Sequence, residues 1–493
     1  MRYQALLLFL STTYAFQLPF NIPKIFSSSV PSIQAEQSPV SSTPRIAIIG
    51  AGAGGSSAAY WISKAKERFG LDAEIDVYES NDYIGGRSTV VYPYDNTSLP
   101  EFELGASIFV EANKNLWRAS DEFNLTRRDF HELDSETGIW DGEKMLLSFS
   151  GGWWDTAKLL WRYGFLSPKR TESFVRNMIN QILVLYSLET PTWDSIHALS
   201  EYLGWTDMVN STTLGHLSSL GISTKCLLYG TGATGIAGGN FQLFEKFLNS
   251  SKANVYLNTH PSSPQLWSVK SSRGTLDYKA VILAAPFHST DILFPLSVSD
   301  QVPEVPYVHL HVTLLATTSP TLNPAYFGLP SSSSVPHMLL TTNQGTREGR
   351  TKPEFNSISY HGLVRDNEWG VKIFSDHEIS DEWLNTMFNG HVGWVVRKWN
   401  SYPKLPPTFK FPPVKLDRGL YYVNSFEPFI STMETETISS RNVVDLMLND
   451  EFNASICGRS VSAVDSKGEQ PVEKLPTALE ESAKKDFVFG WDC

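Results

Sequence analysis

The first sustained pattern along the chain is Arg45-Ile46-Ala47-Ile48-Ile49, a short β-branched apolar run stopped by glycine. It reads as a buried strand. The turn Gly50-Ala51-Gly52-Ala53-Gly54-Gly55 follows, then a stretch from Ser56 to Arg68 with Ala58, Ala59, Ile62 and Ala65 at helical spacing. A second strand, Glu74 to Glu79, completes a β-α-β unit within about 35 residues. From Asn115 to Leu228 the period is helical and tryptophan is frequent (Trp153, Trp154, Trp161, Trp193, Trp205). That predicts a mostly helical region with those rings mainly in its core. Strand patterns return at Val255–Leu257, Ala280–Ala285 and Val308–Ala316, and Pro403–Pro413 reads as a linker or an edge. Gly419–Asn424 predicts a strand leading to a last helix through Leu448, with Ser431 and Glu434 in capping-box spacing at its start. No internal repeat is present. The tail from residue 458 to residue 493 is polar, which predicts poor order.

The beginning of the chain carries a different signal. Arg2, the apolar run Ala5–Leu10 and the small residues of Thr13-Tyr14-Ala15 predict a secretory signal peptide over 1–15, then a flexible leader over 16–44. The apolar run is too short to span a bilayer, and no later stretch approaches about 18 uninterrupted apolar residues, so no transmembrane segment is expected. Five Asn-x-Ser/Thr triplets, at Asn96, Asn124, Asn210, Asn249 and Asn453, fit glycosylation along that route.

Composition narrows the class. Of 493 residues 41% are hydrophobic, enough for a large core, so wholesale disorder is excluded. With 40 basic and 52 acidic residues the net charge is −12, and with no long basic run this argues against nucleic acid and anionic membrane as main partners. Cys226, Cys457 and Cys493 are too few for a disulfide framework, and their odd number leaves one thiol without an intramolecular partner. His309 and His311 would share a strand face but lack a third ligand, so no metal is expected.

The glycine turn carries the chemistry. It follows a strand, opens a helix, and is answered by Glu79 at the end of the next strand. Gly50, Gly52, Gly54 and Gly55 permit a tight turn and close backbone approach, so that a pyrophosphate can sit on the helix N-terminus while Glu79 accepts from a ribose hydroxyl. Downstream, Gly85-Gly86-Arg87 and Glu103-Leu104-Gly105-Ala106-Ser107 resemble the flavin-binding pattern of the amine-oxidase-like FAD superfamily. The resemblance implies FAD as cofactor, with Gly86 and Arg87 near its phosphates and Gly105 and Ala106 lining it. It also implies a fold class: an α/β, Rossmann-like, discontinuous FAD-binding domain (45–110, 229–300 and 417–457) with an α+β substrate domain (111–228 and 301–416).

Three further stretches narrow the resemblance: Gly238-Gly239-Asn240 with Gln242, Ala284-Ala285-Pro286-Phe287-His288, and Tyr421–Asn424 continuing through Ser431–Glu434 to Ser440-Arg441-Asn442. With the fingerprint they resemble the prenylcysteine oxidase (prenylcysteine lyase) family, its fungal-type members in particular. The resemblance implies an FAD-dependent oxidase that splits S-farnesyl- or S-geranylgeranyl-cysteine, left by degraded prenylated proteins, with O₂ and water in a lysosome or vacuole. Hydride would pass from C1 of the prenyl group to the flavin, and water would trap the resulting cation. Collapse would give a prenyl aldehyde and cysteine, and O₂ would become H₂O₂. Such a mechanism needs no Ser-His-Asp set, because the cofactor does the hard step. In the superfamily the last helix points its N-terminus at the flavin, which implies a cofactor role for Glu434. Gly239 and Asn240 are candidates to face flavin or substrate. No general base is identified.

One departure stands out. The family pattern carries an additional helix and loop before Gly238-Gly239-Asn240, whereas here Gly221–Cys226 runs almost directly into Leu227–Gly232. Two alternatives therefore stay open at this point: a flavin oxidase of another substrate such as an amine, and a flavin-binding homologue without catalysis.

Overall fold

Strand β1 (Arg45–Ile49) is central because it is apolar on both faces, the signature of a strand covered on both sides. It pairs in parallel with β2 (Glu74–Tyr78) on one side, Arg45 opposite Glu74, and with Ala280–Leu283 on the other, Ile46 opposite Ala280. Asn254–Tyr256 extends the sheet beyond β2, and Leu420–Tyr422 with the antiparallel edge Lys415–Asp417 extends it beyond Ala280–Leu283. Six strands drawn from three separate stretches of chain thus form one Rossmann-like sheet. Helix α1 (Ala53–Phe69) and the closing helix Met433–Phe452 cover one face. They approach closely enough for the Ser57 and Ser440 hydroxyls to bond at 2.6 Å.

This computed structural model describes residues 43–129, 136–149, 152–222, 233–261, 263–265, 268–399, 402–458, 463–464 and 487–493. The signal peptide and nearly all of the leader lie outside the described residues, as do Cys226 and most of the short segment before Gly238.

A second, seven-stranded sheet holds the order Val392–Trp399, His311–Thr317, Glu368–Ser375, Ser357–Arg365, Met338–Thr341, Thr137–Trp140, Met145–Phe149. Its core includes Leu315, Ile358, Val371, Ile373 and Phe388. The last two strands correct the expectation of a helical region from Asn115 onward. They form a hairpin around Asp141-Gly142, whose glycine has φ +102°, and that dipeptide is a turn signal. Helices dominate the rest of this region: α2 (Lys114–Glu122), α3 (Trp153–Tyr163) and α4 (Leu166–Leu183). Trp193 and Trp205 are buried, but Trp153, Trp154 and Trp161 are exposed, against the expectation of core rings.

Of the tail, residues 459–462 and 465–486 lie outside the described residues, and the rest make defined contacts. Ala463–Val464 pairs with Thr192–Trp193, and residues 487–493 fold back onto α1. Trp491 packs its ring on Tyr60 and Trp61, Arg68 donates to the carbonyls of Gly490 and Trp491 at 2.9 Å, and Cys493 forms a disulfide with Cys457.

Candidate active site

A cleft of about 670 Å³ opens at the carboxyl ends of β1, β2 and Ala280–Leu283, where sheets of this kind bind ligands. Gly50, Gly52, Gly54, Glu79, Gly86, Arg87, Gly105 and Ala106 all line it. Gly50 has φ +104°, and a side chain there would press within 2.5 Å of the Ala284 carbonyl oxygen, so only glycine permits this turn. Gly52 is the N-cap of α1 and has no side chain to satisfy the first-turn amides, which remain available to an anion. A Cβ on Gly52 would stand in ordinary contact with Gly86 at 3.8 Å, without a clash, at the wall of the cleft. Gly55 does not line the cleft. It lets α1 close against the Gly50 carbonyl, 1.8 Å from where its Cβ would stand.

Glu79 is buried and held by its neighbours. Its Oε2 accepts the Ala51 amide at 2.7 Å, and its Oε1 accepts the Asn81 amide at 2.9 Å and the Asn81 side chain at 2.7 Å. A carboxylate offers about four acceptor positions, so Oε2 retains capacity for a ribose hydroxyl. Arg87 is held at 2.5 Å by Glu427, whose other oxygen accepts the Tyr307 hydroxyl at 2.6 Å.

The closing helix starts one residue later than the sequence suggests. Thr432, not Ser431, is the N-cap, and it forms a reciprocal box with Thr435. This moves Glu434 away from the cleft. Its carboxylate instead accepts the amides of Asn115 and Leu116 at 2.8 and 3.0 Å, capping α2, together with the Tyr186 hydroxyl. Burial raises its pKa, opposed by those three donors. Glu436 takes the position facing the cleft. Burial, reinforced by the Glu427 carboxylate and opposed by Arg87, pushes the Glu436 carboxyl well above the usual carboxylate range. Its Oε1 has no hydrogen-bond partner among the described residues.

Gly239 and Asn240 also stand away from the cleft. Asn240 is fully buried, accepts the Ile236 amide at 2.9 Å and donates through Nδ2 to the Ala106 carbonyl at 3.0 Å. It therefore fixes the loop that lines the cleft without touching its space. The Asn240 amide donates to Glu103 at 2.5 Å, and Lys372 donates to the Glu103 carbonyl and to the Ser107 hydroxyl at 2.7 and 3.0 Å. Burial pushes the Glu103 carboxyl up to about 7 and the Lys372 ammonium down to about 8. Glu427, Glu436 and Lys372 escaped the sequence reading because no local motif marks them. The five sequon asparagines are all exposed.

A second cavity of about 760 Å³ adjoins the cleft, and Thr432 belongs to both walls. It is lined by apolar side chains including Val110, Trp117, Ile179, Ile182, Leu183 and Ile430.

These features fit FAD. An uncapped helix N-terminus, an acid with spare acceptor capacity, and a buried carboxyl at the cleft wall, Glu436, whose Oε1 lacks a partner among the described residues are what a dinucleotide needs. The chain is an FAD-dependent oxidoreductase of the amine-oxidase-like fold. A Rossmann-like NAD(P)-binding domain model matches residues 48–123. The solved cyclohexylamine oxidase from Brevibacterium oxydans superposes with TM-score 0.51 at 14% identity, covering 82% of this chain and 98% of that one.

The chain belongs to the prenylcysteine lyase family, whose model matches residues 148–229 and 226–456. The two matches meet at the stretch where the segment before Gly238 is short. Farnesylcysteine lyase of Arabidopsis thaliana is 30% identical over 82% of this chain and 88% of its own. Prenylcysteine oxidase 1 of Homo sapiens is 25% identical over 81% and 87%.

Proposed function

We propose that the chain is an FAD-dependent oxidase of S-prenyl-cysteine thioethers, which converts the thioether, O₂ and water to a prenyl aldehyde, cysteine and H₂O₂. The observation that carries this reading is a dinucleotide cleft that shares the wall residue Thr432 with a neighbouring cavity offering an apolar wall, in a chain of the prenylcysteine lyase family. When bound, FAD supplies the two-electron oxidation at C1 of the prenyl group and returns the electrons to O₂. The protein's own part is to hold and orient. The α1 N-terminus and Arg87 favour the anionic end of the cofactor, and Glu79 takes its ribose. The Thr432-capped helix brings a positive dipole end to the cleft, which favours negative charge there by roughly 0.3–1 kcal/mol or more when buried. Ile179, Ile182 and Leu183 offer the apolar wall that an isoprenoid chain needs.

A lysosomal or vacuolar site of action is proposed with it. Five exposed sequons and a disulfide support passage through an oxidising, glycosylating compartment. The test is aerobic turnover of S-farnesyl-cysteine by purified protein. Equimolar farnesal, cysteine and H₂O₂ are expected. Peroxide from an amine but none from the thioether would replace this reading with that of an amine oxidase.

A further inference from the structure

We propose that α3 and the first turn of α4 dock on the surface of an anionic lipid bilayer. Helix α3 turns large apolar rings outward. Its Asp155 is 6% exposed, whereas Trp153, Trp154 and Trp161 are 69%, 63% and 94% exposed. Trp154 and Trp161 are seven residues apart and so share a helix face, and Trp153 stacks on Trp154 with ring centroids 3.9 Å apart. Beyond the turn at Gly164, Phe165 and Leu166 continue the apolar surface at 66% and 60% exposure. Five large apolar side chains exposed along one helix and the turn after it mark an interaction site.

Charge selects the occupant. Between Trp153 and Leu183 the chain has five basic residues (Lys158, Arg162, Lys169, Arg170, Arg176) and two acidic ones (Asp155, Glu172), a local balance of 5 − 2 = +3 in a chain of net charge −12. An acidic protein can approach an anionic surface only through such a locally basic face. Tryptophan beside Lys and Arg is the composition that lies in the headgroup layer. No helix among the described residues is long and apolar enough to cross a membrane, so the contact lies in the interface plane. Helix α4 then leads inward: it starts at the patch, and Ile179, Ile182 and Leu183 near its other end line the apolar cavity. The docking itself does not depend on the identity of the substrate.

The test is flotation of the intact purified protein with phosphatidylcholine vesicles, with and without phosphatidylserine. The wild type should float with the phosphatidylserine vesicles and be released by salt. Trp161→Ser with Phe165→Ser should lower the partition coefficient by roughly tenfold or more, from the lost apolar burial, with flavin content and melting temperature unchanged. Lys169→Glu should weaken binding to the anionic vesicles alone. A wild type that floats with neither vesicle, or a double variant that floats as well as wild type, would overturn the proposal. So would a wild type that stays off vesicles but forms dimers that the double variant breaks, which would make the patch a protein interface.

Discussion

Oε2 of Glu79 accepts the amide of Ala51 at 2.7 Å, which ties the end of β2 to the glycine turn after β1 and sets the mouth of the cleft. Gly52, next along that turn, lines the cleft, and a Cβ there would touch Gly86 at 3.8 Å without a clash. Gly52→Val therefore adds a side chain to the cleft and not to the packed core. The variant should fold with a melting temperature close to that of the cofactor-free wild type and lose its flavin. Flavin absorbance per mole of protein, read beside a thermal melt, checks this. Full flavin content would remove the turn from the binding site.

Glu434 and Glu436 should separate into structural and cofactor roles. Glu434→Ala strips three donors of their acceptor at the start of α2 and at Tyr186, at a cost of about 3 kcal/mol in unfolding free energy. Folded molecules should retain their flavin. Glu436→Ala should instead weaken flavin binding by roughly tenfold, the worth of one hydrogen bond, while Glu436→Gln, which keeps a hydrogen-bonding end of the same length, retains it. Denaturant melts and flavin titrations of the three variants decide the assignment.

What was legible in the sequence was local. A strand, a glycine turn and an acid after the next strand lie within one β-α-β unit, so spacing alone brings Gly50, Gly52, Gly54 and Glu79 to one cleft. The second sheet was harder to read, because Thr137–Trp140 pairs with Met338–Thr341, some two hundred residues away, and tryptophan drew the reading toward helix. The last helix illustrates how small an error suffices. An N-cap moved from Ser431 to Thr432 comes with a different acid at the cleft, because each residue turns a helix by about 100°. Trp161 defeated the core expectation because it lies on the outward face of its helix, which composition does not reveal.

The end of the chain should contribute to stability. Phe489 and Trp491 pack against the α1 side of the core, and the Cys457–Cys493 bond closes a loop with a sequence separation of 36. Loop-closure entropy assigns such a bond about 3–4 kcal/mol. Cys493→Ser should lower unfolding free energy by up to that amount, and a non-reducing digest of the wild type should yield the two cysteines in one linked peptide pair. Free thiols at both positions would contradict the pairing.

Glu103 gives a pH signature. Its folded pKa, about 7, lies above the ordinary 4.5, so its stabilising share is complete below pH 4.5 and lost as pH rises through 7. Wild type minus Glu103→Gln should therefore lose about 3 kcal/mol of relative stability across that window. His361, held down to about 3, titrates in the opposite sense but is common to both proteins. A difference that does not vary with pH would show that Glu103 ionises normally.

The central claim is that a prenyl thioether reduces the flavin of this chain despite its short segment before Gly238. An anaerobic titration of the purified holoprotein with S-farnesyl-cysteine, following the visible flavin band, tests it most directly. The account predicts that the band bleaches and that it returns on admitting air. A flavin band unchanged by saturating S-farnesyl-cysteine would contradict it.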